Sequence, residues 1–272
     1  EMGVILAFVS IKGGVGKTTL ALETASSLAN NFGKRVLLVD GNFSAPNIGL
    51  YLDLTNKDNY DVTLHDALLG VGLHNAIYEA HGFDVVPAAF DYHHGVDVFR
   101  LGKILSKFKP RYDFIILDSS PNYEELKPIV VAADQIFVVT TPDEMTLKTS
   151  LKAAKLAKKN KTPVVGIVVN RIRSPRHEMN LQEIEEESGE MPVMARIRDH
   201  KKIAAAAFHK APITVHDSGN IISREVRRFV SALCGSPEEP VGFLGSVLPF
   251  GRPGKEKINR EVLRKEFYQG QL

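Results

Sequence analysis

Ser10 to Thr19 of this 272-residue chain reads S-I-K-G-G-V-G-K-T-T, and these residue types suit one kind of chemistry. Gly13, Gly14 and Gly16 leave no Cβ in the way of a bulky anion and reach backbone angles closed to other residues. Lys17 is placed to reach the β- and γ-phosphates of a nucleotide, and Thr18 to put its hydroxyl on Mg²⁺. The common pattern G-x-x-x-x-G-K-[ST] is only partly met, because its first glycine falls on Ile11. Instead, a second lysine, Lys12, stands at the front of the loop.

The flanking elements aim this loop. Val4 to Val9 is an apolar run that predicts a strand, and Ala21, Ala25, Leu28, Ala29 and Phe32 share one face of the helix that follows. A strand, a glycine-rich turn and a helix N-terminus bring backbone N–H groups and a positive dipole end to one point, which is a seat for phosphate. Two further apolar runs end in carboxylates. Arg35 to Val39 stops at Asp40-Gly41-Asn42, and Y-D-F-I-I-L-D, Tyr112 to Asp118, stops at Asp118. Continuous apolarity marks strands buried on both faces, and the carboxyl ends of such strands are where open α/β sheets bind ligands. Alone, Asp118 reads equally well as a solvated acid at a strand end; beside a phosphate seat it reads as a metal ligand.

K-G-G-V-G-K-T-T resembles the deviant phosphate loop of the MinD/ParA family of ATPases, and the resemblance covers about residues 3 to 234. It implies an α/β fold of the P-loop NTPase type, a three-layer sandwich on a mostly parallel, twisted sheet of seven or eight strands with helices on both faces. It implies ATP and Mg²⁺ as ligands, with Gly13, Gly14, Val15, Gly16, Lys17, Thr18 and Thr19 around the nucleotide and Thr18, Asp40 and Asp118 around the metal. It also implies an ATP-bound homodimer closed face to face, in which Lys12 reaches the partner's phosphates. Lys12 and Lys17 would stabilise the charge that develops as water attacks the γ-phosphate. A regulatory protein partner belongs to the same picture.

Two positions depart from the family pattern. Where relatives carry D-x-D, with the second aspartate positioning the attacking water, this chain has Asn42. An amide orients water but takes no proton from it. General-base help is worth ~10²–10⁴-fold, so hydrolysis is either slow, leaving an ATP-bound scaffold, or ordinary because positioning and electrostatics carry phosphoryl transfer. Asn47 keeps the asparagine of the family's first switch loop, and Ser119-Ser120-Pro121-Asn122 resembles its second switch. Asn170, at the end of the predicted strand Val164 to Val169, matches the asparagine that reads the adenine edge; it is also a common turn residue. The second adenine contact is expected at Ile197-Arg198-Asp199-His200, where Asp199 is kept and the usual proline is missing.

Elsewhere, strands are predicted at Phe83 to Pro87 and Gln135 to Thr141, with a strand entry at Ala211-Pro212-Ile213. Helices are predicted at Val96 to Leu105, Glu178 to Glu190, Ile203 to Phe208 and Ser223 to Leu233. A hydrophobic content of 44% with 24% charged residues describes a globular chain rather than a disordered one. The net charge of +2 gives no bulk argument for nucleic acid. The local clusters Arg171, Arg173, Arg176 and Arg196, Arg198, Lys201, Lys202 suit non-specific DNA, an acidic partner or solvent. Cys234 is the single cysteine, which excludes an internal disulfide and disfavours the iron–sulfur relatives that share this loop. His65, His74, His81, His93 and His94 lack ligand spacing and read as packing or surface residues.

No apolar run approaches the ~20 residues of a spanning helix, and Glu1-Met2-Gly3 leads into a strand without a basic region, so a cytoplasmic location is expected. Gly235 to Pro240 reads as a linker that divides an ATPase domain, 1–234, from a tail, 235–272. In the tail, Phe243, Leu244, Val247 and Leu248 of segment 241–250 fall on one helical face, similar to the family's C-terminal membrane helix. Two glycines and Pro249 weaken such a helix, and a mixed-charge pattern, Ile258 to Tyr268, follows it. The segment therefore reads either as a peripheral anchor at the inner face of the cell membrane or as an apolar stretch packed on protein. The expected function is an ATP-dependent dimerisation switch that positions a division site, a chromosome or another cargo. The alternatives are an ATP-holding scaffold and a DNA-partition ATPase.

Overall fold

The apolar runs become the middle of one eight-stranded sheet in the computed structural model, which describes residues 2–56, 60–90, 95–174, 176–236 and 254–269. In chain order the strands are β1 Val4–Val9, β2 Val36–Val39, β3 Tyr78–Ala80, β4 Phe83–Val86, β5 Phe114–Leu117, β6 Gln135–Thr140, β7 Val164–Ile172 and β8 Val193–Arg198. They lie in the order β3-β4-β2-β5-β1-β6-β7-β8, and every neighbouring pair is parallel except β3 with β4.

The helices are α1 Lys17–Phe32, α2 Ile48–Tyr51, α3 Leu64–Leu69, α4 Leu101–Ser106, α5 Tyr123–Ala132, α6 Glu144–Lys159, α7 Leu181–Glu187, α8 Lys201–Phe208, α9 Ile213–His216, α10 Ile221–Leu233 and α11 Lys255–Gln269. Alternate strand residues face opposite sides, so each central strand feeds two cores. Leu6, Phe8, Leu38 and Ile116 pack with α1 and α10 on one face; Ile5, Ala7, Val9, Leu37 and Ile115 pack with α5 and α6 on the other. Phe8, Phe137 and Phe229 meet as an aromatic cluster with centroids 5.1 to 6.3 Å apart. These are the expected three layers.

The structure corrects several expected elements. Ile213 does not enter a strand; it begins α9, because the Glu23 carboxylate on α1 accepts the N–H groups of Ile213 (2.7 Å) and Thr214 (3.0 Å) and so caps a helix start. The eighth strand is instead β8, which carries two exposed arginines, Arg196 and Arg198, and so lacks the apolar signature of the central strands. β7 runs past Asn170 to Ile172, α7 is shorter than the acidic stretch that contains it, and a 3-10 turn at Val98–Arg100 precedes α4.

α11 packs against β8 and α10. Asn259 Nδ2 donates to Val193 O (2.9 Å), the buried Arg260 guanidinium donates to Met194 O (2.9 Å), and Leu263 enters the core. The segment 241–250, His93 and His94 lie outside the described residues. Among the described residues no helix is long and apolar enough to cross a membrane.

Candidate functional site

β2, β5 and β1 are neighbours, and their carboxyl ends deliver Asp40, Asp118 and the glycine loop to one edge. Val39 is in register with Leu117, and the Asp118 N–H donates to Val39 O (3.0 Å), so the two aspartates leave the sheet side by side. Both are buried. Asp40 organises the loop after it: Oδ1 accepts the Asn42 N–H (3.1 Å), and Oδ2 accepts those of Asn47 and Ile48 (3.1 Å each). Asp118 Oδ2 accepts the Thr18 hydroxyl (2.5 Å), while its Oδ1 is buried without a hydrogen-bond partner.

Lys17 is buried on the first turn of α1 and donates to Lys12 O (3.3 Å). Burial lowers its pKa, and attraction to Asp118 opposes that shift. Burial, and then the charge of Asp118, push the Asp40 carboxyl up; burial also raises Asp118, against the Thr18 hydrogen bond and the Lys17 charge. Two buried carboxylates thus lie beside each other, with one buried ammonium acting on Asp118. A divalent cation would answer the excess charge and the orphaned Oδ1, and the all-oxygen donor set of Thr18, Asp118 and Asp40 suits Mg²⁺, which completes its shell with water and phosphate oxygens.

Glycine is required at two places. Gly16 has φ +91°, and a Cβ there would lie 2.2 Å from Asn170 Nδ2. Asn170 in turn donates to Val15 O (2.8 Å), and Val15 is buried, so the loop is braced from β7 and anchored in the core. Gly41 separates Asp40 from Asn42 and no sequence motif marks it: a Cβ there would meet Asp118 O at 2.5 Å and Ile129 Cδ1 at 2.4 Å. Asn42 donates through Nδ2 to Ala45 O (2.6 Å), and its Oδ1 is buried without a partner.

Gly13 and Gly14 are exposed on the loop, and Thr19 is half-buried beside Thr18 on α1. Lys12 is exposed at the loop front, where it lines a pocket of about 270 Å³ with Arg171, Arg173 and Asp143. Burial works against ionisation of Asp143, but the Thr141 hydroxyl, the Thr146 N–H and the nearby Lys12 hold its carboxyl below the usual range. Asp199 is turned to Arg173, whose Nε donates to Asp199 Oδ2 (2.6 Å). A buried contact between the Ser10 and Ser150 hydroxyls (2.9 Å) ties the base of the loop to α6, and no local sequence signal marks it. His65 accepts the Ala89 N–H (3.0 Å) as a packing residue, and among the described residues no group of three His, Cys, Asp or Glu side chains is placed to hold a metal.

The profile of the CobQ/CobB/MinD/ParA nucleotide binding domain matches residues 6–213. The chain belongs to this family. An uncharacterized ATP-binding protein of Methanocaldococcus jannaschii is 28% identical over 247 residues, covering 88% of this chain and 90% of the relative. The cell division ATPase MinD of Pyrococcus furiosus superposes with a TM-score of 0.78 at 28% identity, over 85% of this chain and 98% of that one. The septum site-determining protein MinD of Pyrococcus horikoshii, complexed with Mg-ADP, gives a TM-score of 0.78 at 26% identity, over 85% and 95%. The expected MinD/ParA fold is therefore present, and the family binds nucleotide with magnesium.

Proposed function

We propose that this chain is an ATP-dependent dimerisation switch of the MinD/ParA type, which positions a division site, a chromosome or another cellular cargo. One observation carries the reading: of the two loop lysines, one is buried and the other exposed. Lys17 is buried toward Asp118, whereas Lys12 is exposed at the front of the loop. An exposed ammonium at the front of a phosphate seat is available to a second subunit's nucleotide. ATP is held by the 13–19 loop, with Asn170 and Asp199 assigned to the base; Asn170 also fixes the loop through Val15 O. Bound Mg²⁺ would neutralise developing phosphate charge, with Thr18, Asp118 and Asp40 holding it.

Asn42 favours slow turnover, because its buried Oδ1 is free to accept a hydrogen bond from a water but takes no proton. A regulatory protein partner would then time the release of the dimer. Calorimetric titration of ATP with magnesium tests the seat: the wild type gives a saturable heat that Lys17→Ala loses, and an absent heat in the wild type would refute nucleotide binding. Turnover by Asn42→Asp tests the rate. A gain of ~10²-fold or more, with ATP binding retained, supports the slow switch; an unchanged rate with binding retained removes Asn42 from the mechanism.

A further inference from the structure

The nucleotide loop follows the carboxyl end of β1; a separate groove runs along α6 from Lys148 to the opposite end of the sheet, where Thr162 and Pro163 lead into β7 at Val164. It holds about 920 Å³ between α6, the start of β7 and the turn after α7. Its floor is apolar: Leu151 and Ala154 of α6, with Val164 and Met191. Its α6 bank is cationic, carrying Lys148, Lys155, Lys158 and, just past the helix, Lys161. Lys148 is already paired with Glu144 (2.5 Å) and Glu187 (3.5 Å). Lys155, Lys158 and Lys161 are exposed, and among the described residues none of them has an ion pair.

We propose that this groove docks an acidic amphipathic helix of a protein partner. Charge complementarity selects the partner, because nearly balanced acids and bases in the whole chain contrast with a row of unpaired ammonium groups along one apolar trough. The arrangement of the charges selects a helix. Lys155 and Lys158 stand one turn apart, about 4.5 Å at the helical rise per residue, and Lys161 follows just past the helix, so the unpaired cations are three separate ammonium groups and the partner must carry several carboxylates. An acyl chain with a single anionic head answers one of them. A helix with an apolar stripe and carboxylates at i, i+4 and i+7 answers several while filling the floor. The docking stands apart from the nucleotide reading, since no residue that lines the trough belongs to the loop of Ser10 to Thr19.

The test is fluorescence anisotropy, without nucleotide, of a fluorescein-labelled synthetic peptide with leucines on one helical face and glutamates along both flanks. Its controls are the same peptide with lysine at every glutamate, and laurate titrated by calorimetry. The acidic peptide is expected to bind saturably and to weaken as salt rises. Lys155→Glu with Lys158→Glu should weaken it by about tenfold or more, as the reversal of two partly screened charges implies. Met191→Ala, which shortens the floor without adding charge, should weaken it at unchanged salt dependence. Both variants are checked for an unaltered melting temperature. The proposal is overturned by an acidic peptide that fails to bind, by equal binding of the basic peptide, by no change in the lysine variant, or by laurate binding where the acidic peptide does not.

Discussion

Asp40 and Asp118 leave adjacent strands with Lys17 as a buried counter-charge to Asp118, and burial raises both carboxyl pKa values above the ordinary aspartate range. The folded state therefore holds protons that the unfolded chain has released, and its stability declines as pH rises through the raised values. Asp118→Asn removes one of the repelling charges while keeping an acceptor for the Thr18 hydroxyl. At neutral pH the ligand-free variant should melt above the wild type by roughly 2–4 °C, the shift that about 1 kcal/mol produces in a chain of this size. The gain should vanish in acid, where both carboxyls are protonated, and the further rise on adding ATP with magnesium should be lost. Thermal melts across pH with and without ligand check this; a variant less stable than the wild type at neutral pH would contradict the charge argument. Gly41→Ala works by steric means alone. A methyl 2.5 Å from Asp118 O must displace the strand end, so a cost of about 1–3 kcal/mol in urea unfolding is expected. An unaltered midpoint would mean the loop has slack.

α9 is an element built by a side chain 190 residues away. Glu23 on α1 takes the N–H groups of Ile213 and Thr214 and the Thr214 hydroxyl (2.8 Å), and burial pushes its pKa up to about 7 against those hydrogen bonds. The sign follows from the raised value: its contribution to stability is whole below the ordinary glutamate pKa and is lost as pH climbs toward about 7. Glu23→Gln cannot ionise, so its stability relative to wild type should improve across that window and level off above it. Urea unfolding of both proteins in a pH series reads the difference, and a constant gap would exclude Glu23 as the source. The same contact explains why Ala211-Pro212-Ile213 opens a helix where its residues suggest a strand entry, for nothing local announces a cap supplied by α1. β1, β2, β5, β6 and β7 were legible because burial on both faces leaves an unbroken apolar run. β3 and β8 were not, because edge strands carry polar residues and take their identity from neighbours. At the site, the loop, Asp40 and Asp118 could be read from residue type and position. The bracing of Val15 by Asn170 and the Ser10–Ser150 contact depend on distant strands and helices meeting, which no spacing along the chain encodes.

At the scale of the molecule, a sheet with two cores presents one edge where carboxylates, a buried lysine and an exposed lysine stand together. α11 closes the far side of the sheet by donating to β8 carbonyls and burying Leu263, which protects an otherwise open strand edge. Removing residues 254–272 should therefore lower the melting temperature and make the protein aggregate as its concentration rises. Light scattering during a thermal ramp checks this, and an unchanged profile would show that β8 needs no cover. The exposed Lys12 carries the larger claim, that bound nucleotide joins two copies of the chain. The most direct measurement is molar mass by size-exclusion chromatography with multi-angle light scattering, with and without ATP and magnesium, on the wild type and Lys12→Ala. The wild type should shift from monomer to dimer only with ligand, while Lys12→Ala binds ATP and stays monomeric. A variant that dimerises with ATP as readily as the wild type would contradict the account.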